Sequence, residues 1–366
     1  MNSMSTRSDT PSDTVTTLWL EGTPVGSAAR THMDGSLARL NAAGITVREQ
    51  LFSESVAEGV LEKAMRLLRL VRAGRKAARR GVLVARWHPF LVFVAPKWRR
   101  KGGKILLLVQ GNDDSTYETN PWLRKVPGIR RLMTKSLEIG SSILCVNNGL
   151  AEWVSEERRR VAPVPIATMP SGVSDVFFDA APKDIGEPYV LFFGGLAPWQ
   201  GIDYMLEAHR SSTWPTGLQL LVVGGGAKAD DVRDAQGPTL KWLGPKKPAE
   251  LAEYVAGALV TLCPKSNTGS MAKVTTPFKM LESAAAGVPV IATDIPAQVE
   301  MLSEGYGELV DAERPEALAE AVARLANDEA YREDLARKAR AFSPRCRWSY
   351  AAPQLAEAIR TLQSSL

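Results

Sequence analysis

Cysteine is scarce: Cys145, Cys263 and Cys346 are the only three in 366 residues, far apart and in no metal-ligand spacing. That excludes a disulfide framework and a cysteine-built zinc site, and it fits a reducing, cytoplasmic compartment. Histidine is as scarce, with only His32, His88 and His209. None stands with a nucleophile in a hydrolytic arrangement. Long apolar runs are missing too: the longest candidates, Phe90 to Ala95 and Ile105 to Val109, fall far short of the roughly 18 residues that span a bilayer. Residues 1–15 are rich in Ser, Thr and Asp and lack the apolar stretch of a signal peptide, so they read as a disordered tail. Low-complexity tracts and short-period repeats are absent.

What is present is the composition of an ordinary globular protein, with 45% hydrophobic and 23% charged residues and 29 glycines. At roughly 100 to 200 residues per domain, the length favours two domains. The formal charge of +5 conceals an asymmetry, because Lys63 to Lys104 holds 14 Lys and Arg and no acidic residue, so the rest of the chain is net acidic. Three readings are open for that segment: solvated helix surface, contact with an anionic membrane, and nucleic-acid binding. Lys97-Trp-Arg-Arg-Lys101, an aromatic among cations, suits a membrane surface, and no recognition motif supports nucleic acid.

Short β-rich apolar runs alternate with amphipathic segments of helix length, the pattern of parallel sheets with crossover helices. One series of strands is expected at Thr17–Leu20, Ile45–Leu51, Val82–Arg86, Ile105–Gln110, Ser142–Val146 and Ala167–Met169. A second is expected at Tyr189–Phe193, Leu218–Val223, Leu240–Leu243, Val260–Cys263, Val288–Ala292 and Gly307–Val310. The proline-bearing stretch between the series reads as a linker. The expected domains are 16–180 and 189–345, with 181–188 as linker and 346–366 as a C-terminal helix. Helices are expected at Arg314–Asn327, Glu329–Ala341 and Tyr350–Leu366.

Glycines follow several expected strands, at Gly22 and Gly26, Gly194 and Gly195, and Gly224 to Gly226, where a phosphate would meet backbone amides. A glycine after a strand is also simply a turn, and none of these clusters matches the dinucleotide or triphosphatase fingerprints. The most informative stretch is Thr276 to Ile291, TPFKMLESAAAGVPVI, preceded by Thr275. It reads as a helix capped by Thr275 or Thr276 with Pro277 in the first turn, followed by a glycine stop and a buried strand. Lys279 then sits in the first turn with Glu282 three residues on. That spacing serves either a diphosphate beside a ribose or a solvated i, i+3 salt bridge.

The stretch from Thr276 resembles the donor-site segment of the group 1, family 4 glycosyltransferases, in the subgroup written S/T-P-x-K-x-x-E. FFGGLAPWQGID at Phe192–Asp203, VVGGG at Val222–Gly226, WLG at Trp242–Gly244 and MPSGVSDVF at Met169–Phe177 are similar to further family motifs in the family's order. ARWHP at Ala85–Pro89 and LVQGND at Leu108–Asp113 resemble acceptor-side segments more loosely. The resemblance implies an α/β GT-B fold of two facing Rossmann-like doubly wound domains, with a C-terminal helix returning to the N-terminal one. It implies a retaining hexosyltransferase that moves a sugar from a nucleoside diphosphate donor to a glycan, lipid-linked or small-molecule acceptor, as in polysaccharide biosynthesis. No metal or other cofactor is expected.

Carried over position by position, Glu282 would hold the donor ribose and Lys279, Thr275, Thr276, Pro277 and Phe278 would lie at the diphosphate. Leu243, Gly244 and Pro245 would border the base, and Gly26, Gly195, Gln200 and Gly225 would line the donor loops. Lys279, Glu282 and Gln110 are the expected catalytic positions, with Arg86, Asp113 and Glu118 on the acceptor side. Three departures stand out. The family's donor-loop Arg and Lys correspond to Gly195 and Gln200, the first Glu of its E-x7-E pair to Val274, and its first-domain histidine to Gln110. These leave two alternatives open, a nucleotide-sugar epimerase of the same fold and a non-catalytic donor-binding or scaffold subunit.

Overall fold

A computed structural model describes residues 14–24, 26–55, 59–119, 121–267 and 276–366. The chain forms two compact units: residues 1–110, 122–169 and 351–366 make the first, and 111–121 and 170–350 the second. Each holds one six-stranded sheet whose strand pairs are all parallel.

In the first unit β1 (Thr14–Gly22), β2 (Thr46–Ser53), β3 (Val82–Arg86), β4 (Lys104–Val109), β5 (Ser142–Cys145) and β6 (Ile166–Thr168) lie in the order β2-β1-β3-β4-β5-β6. In the second, β7 (Tyr189–Phe193), β8 (Gln219–Val223), β9 (Leu240–Gly244), β10 (Val260–Cys263), β11 (Val290–Thr293) and β12 (Gly307–Val310) take the order β12-β11-β10-β7-β8-β9. Central strands of parallel sheets are covered on both faces, which is why Tyr189–Phe193 and Gln219–Val223 are buried at every position and read as apolar runs. In both orders the chain reverses direction of growth beside a central strand, and at such switch points the strand ends leave room for a ligand.

The C-terminal helix, Ala352–Ser364, returns to the first unit. Its Leu355, Ile359 and Leu362, at helical spacing, join the core of Val15, Trp19, Val82 and Leu106. Between them, Leu355 and Ile359 are completely covered. Burial of each such side chain contributes roughly 1.5 to 3 kcal/mol, enough to hold the chain end in place.

The structure corrects five expectations about boundaries. Thr14 and Val15, expected within the tail 1–15, pair with β2, and Val15 is buried, while 1–13 lie outside the described residues. The passage between units falls at Met169 and Pro170, not near Ala180, because Val173 and Phe177 are buried in the second core. The expected linker 181–188 is part of that unit as well: Ile185 packs on the same core and the Lys183 amide bonds the Glu253 carbonyl at 2.9 Å. The second unit runs on to Tyr350, where Cys346 is buried and its carbonyl accepts from the Val173 amide at 2.8 Å. Segment 111–121, expected within the first domain, groups by compactness with the second.

Candidate functional site

The ends of β7, β8 and β9 are tied into one platform. The Gly194 amide bonds the Val223 carbonyl at 3.0 Å, the Leu196 amide bonds Gly225 at 2.9 Å, and the Gly224 amide bonds Gly244 at 3.0 Å. Gly194 and Gly224 have φ of 114° and 143°, and a Cβ on Gly224 would stand 1.9 Å from the Gly194 oxygen. Glycine is needed there so that two backbones can touch. Gly195 differs, with nothing within 4 Å of the position its Cβ would take. A Cβ on Gly225 would lie 3.3 Å from the Pro245 ring, and the Trp242 indole donates to the Gly224 carbonyl at 2.9 Å. Leu243, Gly244 and Pro245 therefore flank the glycine platform.

The loop after β7 closes with a 3-10 turn at Pro198–Gln200 and Gly201 at φ 72°. It rests on the segment after β10: the Ser266 amide bonds the Trp199 carbonyl at 3.1 Å, and a Cβ on Gly201 would reach within 1.6 Å of the Pro264 oxygen. This packing fixes Gln200, whose Oε1 accepts from Lys279 Nζ at 3.0 Å.

Lys279 lies in the first turn of the helix Phe278–Ala285, as its spacing after Pro277 indicates, but the cap differs from expectation. Pro277 itself is the N-cap, extended at φ −73° and ψ 118°, and gives the helix no side-chain cap hydrogen bond. Thr276 precedes it, half-buried, while Thr275 and Val274 lie outside the described residues. The Lys279 side chain is buried, with Nζ 3.9 Å from the centre of the Phe192 ring. A Cβ on Gly194 would stand 3.5 Å from its Cε, so that glycine also clears the lysine's path. Burial pushes the ammonium down to about 8, helped by Lys265 and opposed by Cys263 and Glu282.

Glu282 is half-buried on the same helix, and burial raises its carboxyl to about 7 against the pull of Lys279. Its carboxylate makes no hydrogen bond and no ion pair with any described residue. The i, i+3 salt bridge is thus absent: the lysine is turned to Gln200 and the acid is left available for a ligand. Lys265 was not legible as a site residue. It follows β10, is 3% exposed, and burial lowers its ammonium. The available signal was a lysine two residues beyond an all-apolar strand, in Cys263-Pro-Lys265, where a buried cation has no packing purpose.

The remaining candidates are spread over the strand ends of the first unit and the segment after β4. Gly26 adopts φ 84° with nothing within 4 Å of its missing Cβ. Arg86 is paired with Glu21, whose carboxyl burial raises while Arg86 and Arg66 lower it. Gln110 has a buried Oε1 that accepts no hydrogen bond from any described residue. His88 accepts from the Phe90 amide through Nδ1 and is pushed down to about 4 by burial, so it is neutral near pH 7. Asp113 is buried in the first turn of the helix Asp113–Thr119, and Glu118 is on that helix with its side chain outside the described residues. Among the described residues no group of three or more His, Cys, Asp or Glu is placed to hold a metal ion.

Residues 187–328 match the family model described as glycosyl transferases group 1. A D-inositol 3-phosphate glycosyltransferase of Corynebacterium urealyticum is 35% identical over 124 residues, 34% of this chain and 28% of that one. A phosphatidyl-myo-inositol mannosyltransferase of Mycobacterium leprae is 30% identical over 206 residues, 54% of each chain. The chain thus spans about half or less of the length of these curated relatives. Among solved structures, Anabaena HepE in complex with UDP superposes with a TM-score of 0.70 at 14% identity, covering 95% of this chain and 100% of that one. The fold is therefore the two-domain GT-B fold, and residues 187–328 are similar to the group 1 glycosyl transferases.

Proposed function

We propose that the protein is a retaining glycosyltransferase of family 4 that moves a hexose from a nucleoside diphosphate sugar to a glycan, lipid-linked or small polyol acceptor. The observation that carries this reading is the separation of Lys279 from Glu282: a buried ammonium held at the platform by Gln200, and a half-buried carboxylate with no hydrogen bond or ion pair to any described residue. The ammonium and the helix start at Pro277 suit a diphosphate, and the carboxylate can accept two hydrogen bonds from ribose hydroxyls. Leu243, Gly244 and Pro245 border the base. UDP is the first nucleotide to test, since HepE was crystallised with it, and an inositol phosphate or phosphoinositide the first acceptor, from the names of the two curated relatives.

In the reaction the bond from the anomeric carbon to the diphosphate breaks and a bond to the acceptor oxygen forms on the same face. The acceptor's proton passes to the departing phosphate oxygen. Stabilising the charge on the leaving diphosphate is the main catalytic contribution, and Lys279 supplies it in the absence of the family's donor-loop cations. Lys265 adds a second positive charge at the neighbouring strand end. Gln200 positions Lys279, and the unsatisfied Gln110 Oε1 accepts from donor sugar or acceptor. Arg86, Asp113 and Glu118 act on the acceptor, and no metal or other cofactor is required. The protein works in the cytoplasm, attached peripherally to the inner face of the cell membrane through Lys63–Lys104.

Purified protein incubated with UDP-, GDP-, ADP- and TDP-sugars and acceptor extracts tests this, with and without EDTA. Sugar transfer that survives EDTA and is lost in Lys279→Met and Glu282→Gln is the expected result. Gly195 and Gln200 favour one rival, a donor-binding subunit without activity, which would bind nucleotide sugar and never turn it over. Epimerised donor without transfer would assign the chain to the epimerases instead.

A further inference from the structure

We infer that the outer face of the helix Val60–Lys76 is a docking surface for an anionic lipid bilayer. This rests on the membrane attachment proposed above and places it on particular side chains. Leu61, Met65 and Leu68 are 74%, 42% and 55% exposed. At 100° per residue they fall within about 60° of one another on one side of the helix. Continuing along that side come Arg72, Arg75 and Lys76, with Arg69 beside them, all four exposed. None of the four forms an ion pair with a described residue, and Glu62 is the helix's only acid. The opposite side packs inward: Leu70 and Val71 are buried, and a Cβ on Gly74 would meet Leu18 at 2.9 Å.

The apolar patch is extended by Phe93, 47% exposed, whose carbonyl accepts from Arg75 Nη1 at 2.8 Å. The result is a set of large apolar side chains bordered by unneutralised cations. A bilayer of anionic lipid complements both at once, taking the apolar groups at the acyl boundary and the cations at the headgroups. Nucleic acid would complement only the charge. A protein surface would need acids facing the arginines, and the helix offers a second copy of itself only Glu62 against its many cations.

The cluster that the sequence alone favours is a poorer fit. Trp98, the aromatic among its cations, is completely buried and donates its indole N–H to the Gly74 carbonyl at 2.9 Å. Arg99 is occupied with the carbonyls of Glu138 and Ile139. Trp98 therefore anchors the basic helix to the sheet and presents no ring to a membrane.

Sedimentation of the full chain with vesicles of phosphatidylcholine, or of an equal mixture with phosphatidylglycerol, tests the inference. Wild type is expected to bind the mixed vesicles only. Both Leu61→Gln/Met65→Gln/Leu68→Gln and Arg69→Gln/Arg72→Gln/Lys76→Gln should lose at least about tenfold in partitioning, since each cation adds several-fold to attraction by anionic lipid. Lys97→Gln/Arg100→Gln/Lys101→Gln should lose much less. The substitutions are on the surface, and unchanged melting and UDP affinity confirm that fold and donor site are intact. Loss confined to the Lys97 variant would overturn the assignment of the face while leaving membrane attachment standing. No binding by wild type would overturn both, and a wild-type dimer abolished in the Leu61 variant would make the face a self-association surface.

Discussion

Replacing Lys279 by Met should make the protein more stable and its donor site weaker. The native ammonium is pushed from 10.5 down to about 8, a shift of about 2.5 units, and at 1.36 kcal/mol per unit the charged form is about 3 kcal/mol dearer in the fold than in the unfolded chain. That cost comes from burial and the neighbouring charges, and the bond to Gln200 and the contact with Phe192 offset part of it. Methionine keeps the length and needs no solvation. Its gain is reduced because Glu282 loses the cation that holds its carboxyl down. A net gain of about 1 to 2 kcal/mol at pH 7 follows, or roughly 2 to 8 °C in the melting of a unit of this size. The sign with pH is definite. Below pH 8 both native and unfolded chains carry the charge, and the cost is paid in full. Between 8 and 10.5 the native state has shed its proton and the unfolded chain has not, so wild type recovers stability as pH rises and the advantage of Met shrinks toward zero. Scanning fluorimetry at pH 7, 8, 9 and 10 measures this, and UDP titration of the same proteins should show at least a tenfold loss of affinity. A Met variant that melts lower than wild type at pH 7, or one that binds UDP equally well, would refute the reasoning.

Four further substitutions bear on the site and the fold. Glu282→Gln should abolish a decline of wild-type stability between pH 4.5 and 7, worth at most about 3 kcal/mol, because the native carboxyl holds its proton up to about 7. If the carboxylate binds ribose hydroxyls, the same variant weakens UDP more than 2′-deoxy-UDP, and equal losses would count against that role. Lys265→Met should weaken UDP and leave uridine unaffected, whereas Lys265→Arg should restore binding in part; equal affinities in all three proteins would remove Lys265 from the site. Gly224→Ala places a Cβ 1.9 Å from the Gly194 oxygen at φ 143°, and a loss of about 3 kcal/mol or more is expected on melting, with a loss under about 1 excluding the interlocked turns. Leu355→Ala removes a completely buried side chain from the first unit's core and should cost about 2 to 5 kcal/mol in chemical denaturation.

All twelve strands stand where the apolar runs place them, within a few residues at each end, because central parallel strands are covered on both faces and need unbroken β-forming apolar sequence. The unit boundary was not legible. Phe178 to Pro188 lacks periodicity and looks like a linker, yet Ile185 packs on the second core, and Val173 and Phe177 just before the stretch are anchored there beside residues as distant in sequence as Cys346. Periodicity reports regular elements and is blind to an irregular strap that packs. The same limit applied to Trp98, where an aromatic among arginines and lysines looked like a surface feature although the helix turns it inward.

The donor-side motif fixed the position of Lys279 in a helix's first turn, because Pro277 sets the helix start locally, although Pro277 and not Thr275 or Thr276 is the N-cap. Whether Lys279 would pair with Glu282 was a question of the third dimension. The 3-10 turn at Pro198–Gln200, held by Gly201 against Pro264, brings an amide oxygen to the ammonium across 79 positions of sequence and leaves the carboxylate alone. Lys265 likewise gains its place only when β10 pairs with β7. By itself the sequence determined two parallel sheets, their strand ends and the residue types available there, since these depend on neighbours a few positions apart. The tertiary structure decided which charged groups meet, which stay apart, and which apolar side chains face outward, since those depend on packing between segments the chain's local order does not relate.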